Sequence, residues 1–330
     1  MKKTLIKLSM LSLCIGLIFI ACKKTSDSVT PSSGNSHTSD TISQQTNGGD
    51  DARMQNESDA VAIDAEAAIS GTSSTMRTEG SFKLYYAGNV FSGATVDTTN
   101  GPSQKSLVLT YDGLTSVGGR VRSGTITVTL TGQSHWSTPG AVLTLTFNNY
   151  KVTYNGKSIT FNGNQVIINK TGGDPTSLAI GSGSITSQIR SNNIQVTFDD
   201  GTIRTWYIAR TRTITRQSTY GYTISTTGDT SITVGNTTYG PGVAAWGTTR
   251  LNSPFYSIID SPIVWNTADC FFAPVSGSRT IQGIARSLTI TYGVDSNGNV
   301  VTPSIGTCPY GIKINWTTVA NSPAQAVMAY

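Results

Sequence analysis

An all-β fold, an antiparallel hairpin meander forming a sandwich or a strongly curled sheet, is predicted by three features of this 330-residue chain. From Gly119 to Arg216, Thr, Val and Ile alternate in strand-sized runs. Gly, Asn-Gly and Asp-Gly mark the breaks between those runs, as tight hairpin turns require. The composition, with 34 Gly and 12% charged residues, is poor in the Ala, Leu, Glu and Lys of helical bundles.

The first segment, 1–21, reads as a leader. Lys2, Lys3 and Lys7 form a basic start, and Leu8 to Ala21 is an apolar run too short and wrongly flanked to span a bilayer. It ends in Phe19-Ile20-Ala21-Cys22, which resembles the bacterial lipoprotein box, where the cysteine after a small residue is diacylated and becomes the mature N-terminus. Cys22 is therefore the expected lipidation site. Each buried methylene of an acyl chain contributes about 0.8 kcal/mol, so two or three chains would hold the protein to a membrane without spanning it. Lys23-Lys24 lacks the Asp of inner-membrane retention, which favours the outer membrane and leaves its face open. Removal of the leader leaves 20 basic residues against 18 acidic ones, a nearly neutral chain.

The second segment, 22–79, is predicted to be a lipidated, disordered tether. From Thr25 to Thr78 it is Ser, Thr, Asn, Gly and Asp with hardly an aromatic, a composition that cannot bury enough surface to fold. A flexible coil of that length reaches about 40 Å. Ala60 to Ile69 could form one or two helical turns, marginal in isolation. This tract holds eight acidic residues against Arg53 and Arg77, whereas the chain after Glu79 holds nine acidic and sixteen basic, so the tether is acidic and the rest basic.

A β-hairpin domain is expected over 80–217, and a second β segment, packed on the first or continuous with it, over 218–330. Phe82, Leu84 and Tyr86 alternate with Lys83 and Tyr85, and Leu107 to Tyr111 follows as a second strand. In the next run Ile126, Val128 and Leu130 share one face and Thr125, Thr127 and Thr129 the other. Separate runs follow at 142–147, 152–154, 159–161, 166–168, 185–189 and 194–198, with turns expected at Asn155-Gly156, Asn162-Gly163 and Asp199-Asp200-Gly201. One apolar face and one Thr-rich face is the pattern of antiparallel sheets buried on one side.

Arg204 to Arg216 stands apart. Arg204, Trp206, Ile208, Arg210, Arg212, Ile214 and Arg216 share one face. Arg204, Trp206, Arg210 and Arg212 are the candidate ligand face, where guanidinium groups would grip an anion, sugar acid or lipid headgroup and the indole would stack. The competing reading is an exposed strand whose arginines discourage edge-to-edge pairing.

Further on, Pro254 to Trp265, Ser276 to Ile281, Ser287 to Tyr292 and a terminal run at Gly311 to Trp316 read as strands. Cys270 and Cys308 are the mature cysteines besides Cys22, and an even pair in an exported chain is expected to form a disulfide.

Arg120-Val121-Arg122-Ser123-Gly124-Thr125-Ile126, Leu145-Thr146-Phe147-Asn148-Asn149-Tyr150, the run from Arg204-Thr205-Trp206 through Arg210-Thr211-Arg212-Thr213, and Cys270 with Pro274-Val275-Ser276-Gly277 and Gly306-Thr307-Cys308 resemble a family of Bacteroidota envelope lipoproteins. The resemblance covers most of Gly80 to Trp316. It implies an envelope β-protein with paired cysteines and carries no catalytic residue over.

No catalytic set is expected. Of the two histidines, His37 lies in the tether and His135 in a loop around Pro139-Gly140. No Glu follows Glu79, which leaves glycosidase chemistry to scattered Asp residues such as Asp199-Asp200, Asp260 and Asp269. Phosphate-loop, zinc and dinucleotide spacings are absent, so no cofactor or metal is expected. The modest, dispersed basic excess argues against nucleic acid. The expected role is a non-catalytic binding module for a glycan or similar envelope or environmental ligand, attached to the membrane by its lipid. The alternatives are a structural or interaction protein that meets another envelope protein, and a lipid carrier with an apolar concave sheet.

Overall fold

The computed structural model describes residues 38–74, 81–83, 94–97, 105–115, 119–175, 178–217, 221–234, 236–267, 270, 273–283, 286–302 and 307–330. One helix, α1 (Thr38–Ser74), is followed by sixteen strands: β1 (Ser81–Lys83), β2 (Ala94–Asp97), β3 (Ser106–Thr115), β4 (Val121–Thr131), β5 (Val142–Tyr154), β6 (Lys157–Asn169), β7 (Ile185–Phe198), β8 (Ile203–Arg216), β9 (Tyr222–Gly228), β10 (Thr230–Val234), β11 (Thr237–Thr248), β12 (Pro254–Asn266), β13 (Ser276–Gln282), β14 (Leu288–Val294), β15 (Gly311–Thr317) and β16 (Pro323–Ala329). All sixteen belong to one antiparallel sheet, so the fold is all-β as the alternation predicts, in the form of a curled sheet.

β1 to β8 pair in sequence order, and β11 to β16 continue the ladder. Between β8 and β12 a single lane is shared: β9 fills one end, pairing Arg210–Arg216 and Ile263–Asn266, while the last residues of β11 fill the other. β10 pairs with the first half of β11 as a hairpin off this path. The ladder therefore runs without a break from the 80–217 segment into the 218–330 segment.

Of the three turns expected between short strands, two form and one is differently built. Asn155-Gly156 and Asp199-Asp200-Gly201 do form turns, with Asn155, Gly156 and Gly201 at positive φ. Asn162-Gly163, in contrast, lies inside β6, and the runs at 185–189 and 194–198 are one strand, β7. There Gly163 opposes both Asn193 and Ile194, a bulge in which Asn193 takes a φ of 57°. The same device recurs two lanes earlier, where Gly124 opposes Asn149 and Tyr150 and a Cβ at 124 would collide with the carbonyl of Asn149. Bulges bend and twist the strands that carry them, which is how the sheet curls. A dipeptide able to take positive φ serves a bulge as readily as a turn, so the short-range pattern does not separate the two.

What the sheet curls around overturns the disordered tether. Residues 38–74, expected to be linker, form a 37-residue helix whose middle is enclosed by strands on several sides. Met54, Val61, Ala62, Ala65, Ala68 and Ile69 join one core with residues of strands from β2 to β16. Gly48 and Gly49 let the helix approach the wall: a Cβ at 48 would lie 2.6 Å from Ile314 Cδ1, and at 49 2.9 Å from Met328 Cε. Composition misjudges this segment because intrinsic propensity is a weak determinant of helix formation beside tertiary packing. The leader 1–21, Cys22, His37, Leu84, Tyr86 and Asp269 lie outside the described residues.

Toward the concave side point Ile126, Val128 and Leu130 of β4 and their equivalents, while Thr125, Thr127 and Thr129 face outward and stay half-exposed. No helix among the described residues is long and apolar enough to cross a membrane. Cys270 and Cys308 form a disulfide with their Cα atoms 4.7 Å apart, packed with Ala273, Val275 and Tyr330. Closing a loop of 38 residues stabilises by about 4 kcal/mol on the chain-entropy account. Tyr330 pins the C-terminus beside it, its hydroxyl donating to Pro274 O at 2.6 Å and accepting from Gly293 N–H.

Candidate functional site

The alternation of β8 holds, but its arginine face looks inward. Arg204, Trp206, Arg210 and Arg212 are fully buried against α1, so they do not form an open ligand face. Arg204 Nη2 lies 2.7 Å from Asp51 Oδ1, with its guanidinium 4.0 Å over the Phe255 ring. Arg210 donates to Ser58 Oγ at 2.8 Å and pairs with Asp59 Oδ1 at 3.3 Å. Arg212 pairs with Glu66. The physical reason for the correction is charge matching: a buried guanidinium is tolerated only with a carboxylate and hydrogen bonds around it, and α1 supplies both.

The same arrangement extends round the lumen. Asp51 is shared, its second oxygen 2.8 Å from Arg279 Nη1 of β13. Glu57 takes Arg120 Nε at 2.9 Å and Arg122 Nη2 at 3.2 Å, and Asp64 lies 3.7 Å from Arg122 Nη1 while accepting from Tyr111 OH at 2.9 Å. Asp50 binds Arg250 near the turn that carries Asp200. Among the described residues six of these arginines are thus buried with six carboxylates, all from α1, while Arg250 beside Asp50 is partly exposed. Glu57 and Asp64 lie two helical turns apart and meet β4; Asp59 and Glu66, at the same spacing, meet β8. Burial pushes Asp64 up to about 7 despite Arg122 and the Tyr111 hydroxyl, and pushes Glu66 up despite Arg212.

On the outward face one patch departs from the Thr pattern. Tyr207 of β8 and Trp246 of β11 are register partners whose rings stack 5.6 Å apart at 7°. Trp246 is in turn the register partner of Tyr256 of β12, which packs 4.3 Å from Tyr239 on the β10–β11 hairpin. Tyr256 OH donates to Gln282 Oε1 at 2.6 Å, and Thr205 and Thr248 share a 2.7 Å hydroxyl contact beside the row. Tyr207, Trp246 and Tyr239 are half-buried, so the row is seated in the sheet yet reachable from solvent. The alternation of β8 assigns Tyr207 to the face opposite Arg204; the convergence of Trp246, Tyr256 and Tyr239 on it depends on β11 crossing the shared lane, which no local pattern announces.

His135 is exposed in the β4–β5 loop, and Asp260 accepts a hydrogen bond from Thr280. Among the described residues no cluster of three or more His, Cys, Asp or Glu has metal-binding geometry. Comparison with protein-family models, with curated proteins and with solved structures finds no match to this chain.

Proposed function

We propose that this chain is a non-catalytic binding module of the bacterial envelope, held by a lipid on Cys22 and recognising glycan through the outward aromatic row. The observation that carries this is the coplanar Tyr207–Trp246 pair, continued by Tyr256 and Tyr239, on a face otherwise rich in hydroxyl side chains. Aromatic rings offer apolar faces to the C–H faces of sugars, and neighbouring Thr and Gln groups offer donors and acceptors to sugar hydroxyls. Three adjacent strands hold the rings, so little side-chain freedom is lost on binding. The lipid-carrier alternative calls for a continuous open concave face, and the middle of α1 occupies that face.

Titration of the full chain on an envelope-glycan array tests the reading. Trp246→Ala should weaken the bound glycans by about ten-fold or more, with Trp246→Phe recovering part of the loss. Identical profiles for wild type and Trp246→Ala, or no glycan bound, would leave the interaction-protein reading in its place. The anchor is tested separately by mass spectrometry of the mature N-terminus, which should begin at an acylated Cys22; an unmodified Cys22 or a different first residue removes it.

A further inference from the structure

Away from the aromatic row, a cavity of about 810 Å³ opens between the α1 surface, the β4–β6 end of the sheet and the β15–β16 wall. Its volume is in the range of small-molecule sites. Its two walls differ in chemistry. On the β4–β6 side it is lined by Arg120 and Lys157, with Arg53 of α1 beside them; on the β15–β16 side the lining, including Ile312 and Met328, carries no charged side chain.

The single acidic lining residue, Glu57, is already engaged. One of its oxygens meets Arg120, and the other meets Arg122 and the Tyr150 hydroxyl. Arg53 donates to the backbone carbonyl of Lys157 at 3.2 Å, and among the described residues no carboxylate comes within ion-pair distance of it. Burial lowers the Arg53 pKa, with Asp50 and Glu57 opposing that shift, so its charge is held at a cost that a bound anion would reduce. Lys157 follows the Asn155-Gly156 turn, which sets it at the mouth, exposed. Elsewhere in the lumen guanidinium groups face carboxylates of α1; here cations face open volume.

The geometry points to a second binding site, independent of the glycan reading, that takes a small amphipathic organic anion. Its carboxylate or phosphate would lie against Arg53 and Lys157, and its apolar body against Ile312 and Met328. A charge-assisted contact at one end and apolar burial at the other reward a ligand that carries both. A neutral chain would forfeit the first and a bare anion the second.

Calorimetry on the full chain in phosphatidylcholine nanodiscs, with empty nanodiscs as blank, distinguishes these cases with four probes. Octanoate and octyl phosphate should bind, the comparison of the two reporting which head group is preferred, while octanol and acetate should each bind about ten-fold more weakly or less. The double variant Arg53→Gln, Lys157→Gln should reduce octanoate affinity by about ten-fold and leave octanol unchanged. Octanol binding as tightly as octanoate, a double variant matching wild type, or no binding of either charged probe would overturn the site. Both substitutions lie at the cavity and remove no ion pair among those of the lumen, and the thermal transition of the variant reports whether the fold is kept. Because the aromatic row is untouched, the glycan profile of this variant should equal that of wild type, so either reading can fail without the other.

Discussion

Asp51→Asn is expected to destabilise the fold by about 3–5 kcal/mol, the usual cost of removing one partner from a buried ion pair. Asp51 is fully buried and binds Arg204 through one oxygen and Arg279 through the other, at 2.7 and 2.8 Å. Asparagine keeps the shape but leaves two guanidinium groups short of charge in a place water does not reach. Urea unfolding should show the midpoint falling with little change in slope. The triple variant Asp51→Leu, Arg204→Met, Arg279→Met should recover much of the loss, because replacing a whole buried ionic cluster by apolar groups is often neutral or stabilising. A loss below about 1 kcal/mol for Asp51→Asn would mean that α1 does not sit in the sheet as described.

The second large effect is a fall in stability from acid toward neutral pH, traced to Asp64. Burial raises its pKa from 3.8 to about 7, with Arg122 and the Tyr111 hydroxyl lowering it and Glu57 adding to the rise. A carboxyl that holds its proton more firmly folded than unfolded contributes stability that is full below the unfolded pKa. That contribution is lost as pH climbs through the folded value, here across roughly pH 4 to 7. The loss is on the order of a few kcal/mol by pH 8. Asp64→Asn, which mimics the protonated acid, should flatten the profile, so the Tm difference between pH 5 and pH 8 should shrink in the variant. Parallel profiles for variant and wild type would rule Asp64 out as the source.

Much of the sheet is legible from residue order because its signals are local. β3, β4, β13, β14 and β15 follow period-2 runs, and the Asn155-Gly156 turn follows from a dipeptide that tolerates positive φ. Bulges are less legible, since Asn162-Gly163 and Asn155-Gly156 look alike until the opposing strand is known. β16, from Pro323 to Ala329, is missed because its apolar residues are small and weakly alternating. A signal for α1 was present in the charge ledger, an acidic tether and a basic remainder, with Asp59 and Glu66 at helical spacing. Read alone, the same acids mark a solvated linker.

Residue order by itself determined many of the strands, the face shared by Arg204, Trp206, Arg210 and Arg212, and the pairing-competent Cys270 and Cys308. Only the tertiary structure decided which side of that face looks inward. Hydrophobic alternation assigns the inside by apolarity, and on β8 the buried face is as charged as it is apolar. Its charges go inside because α1 brings carboxylates to them from far along the chain, Asp51 to Arg204 across 153 residues. The energy that makes an arginine face a core rather than a surface lies in that distant partner.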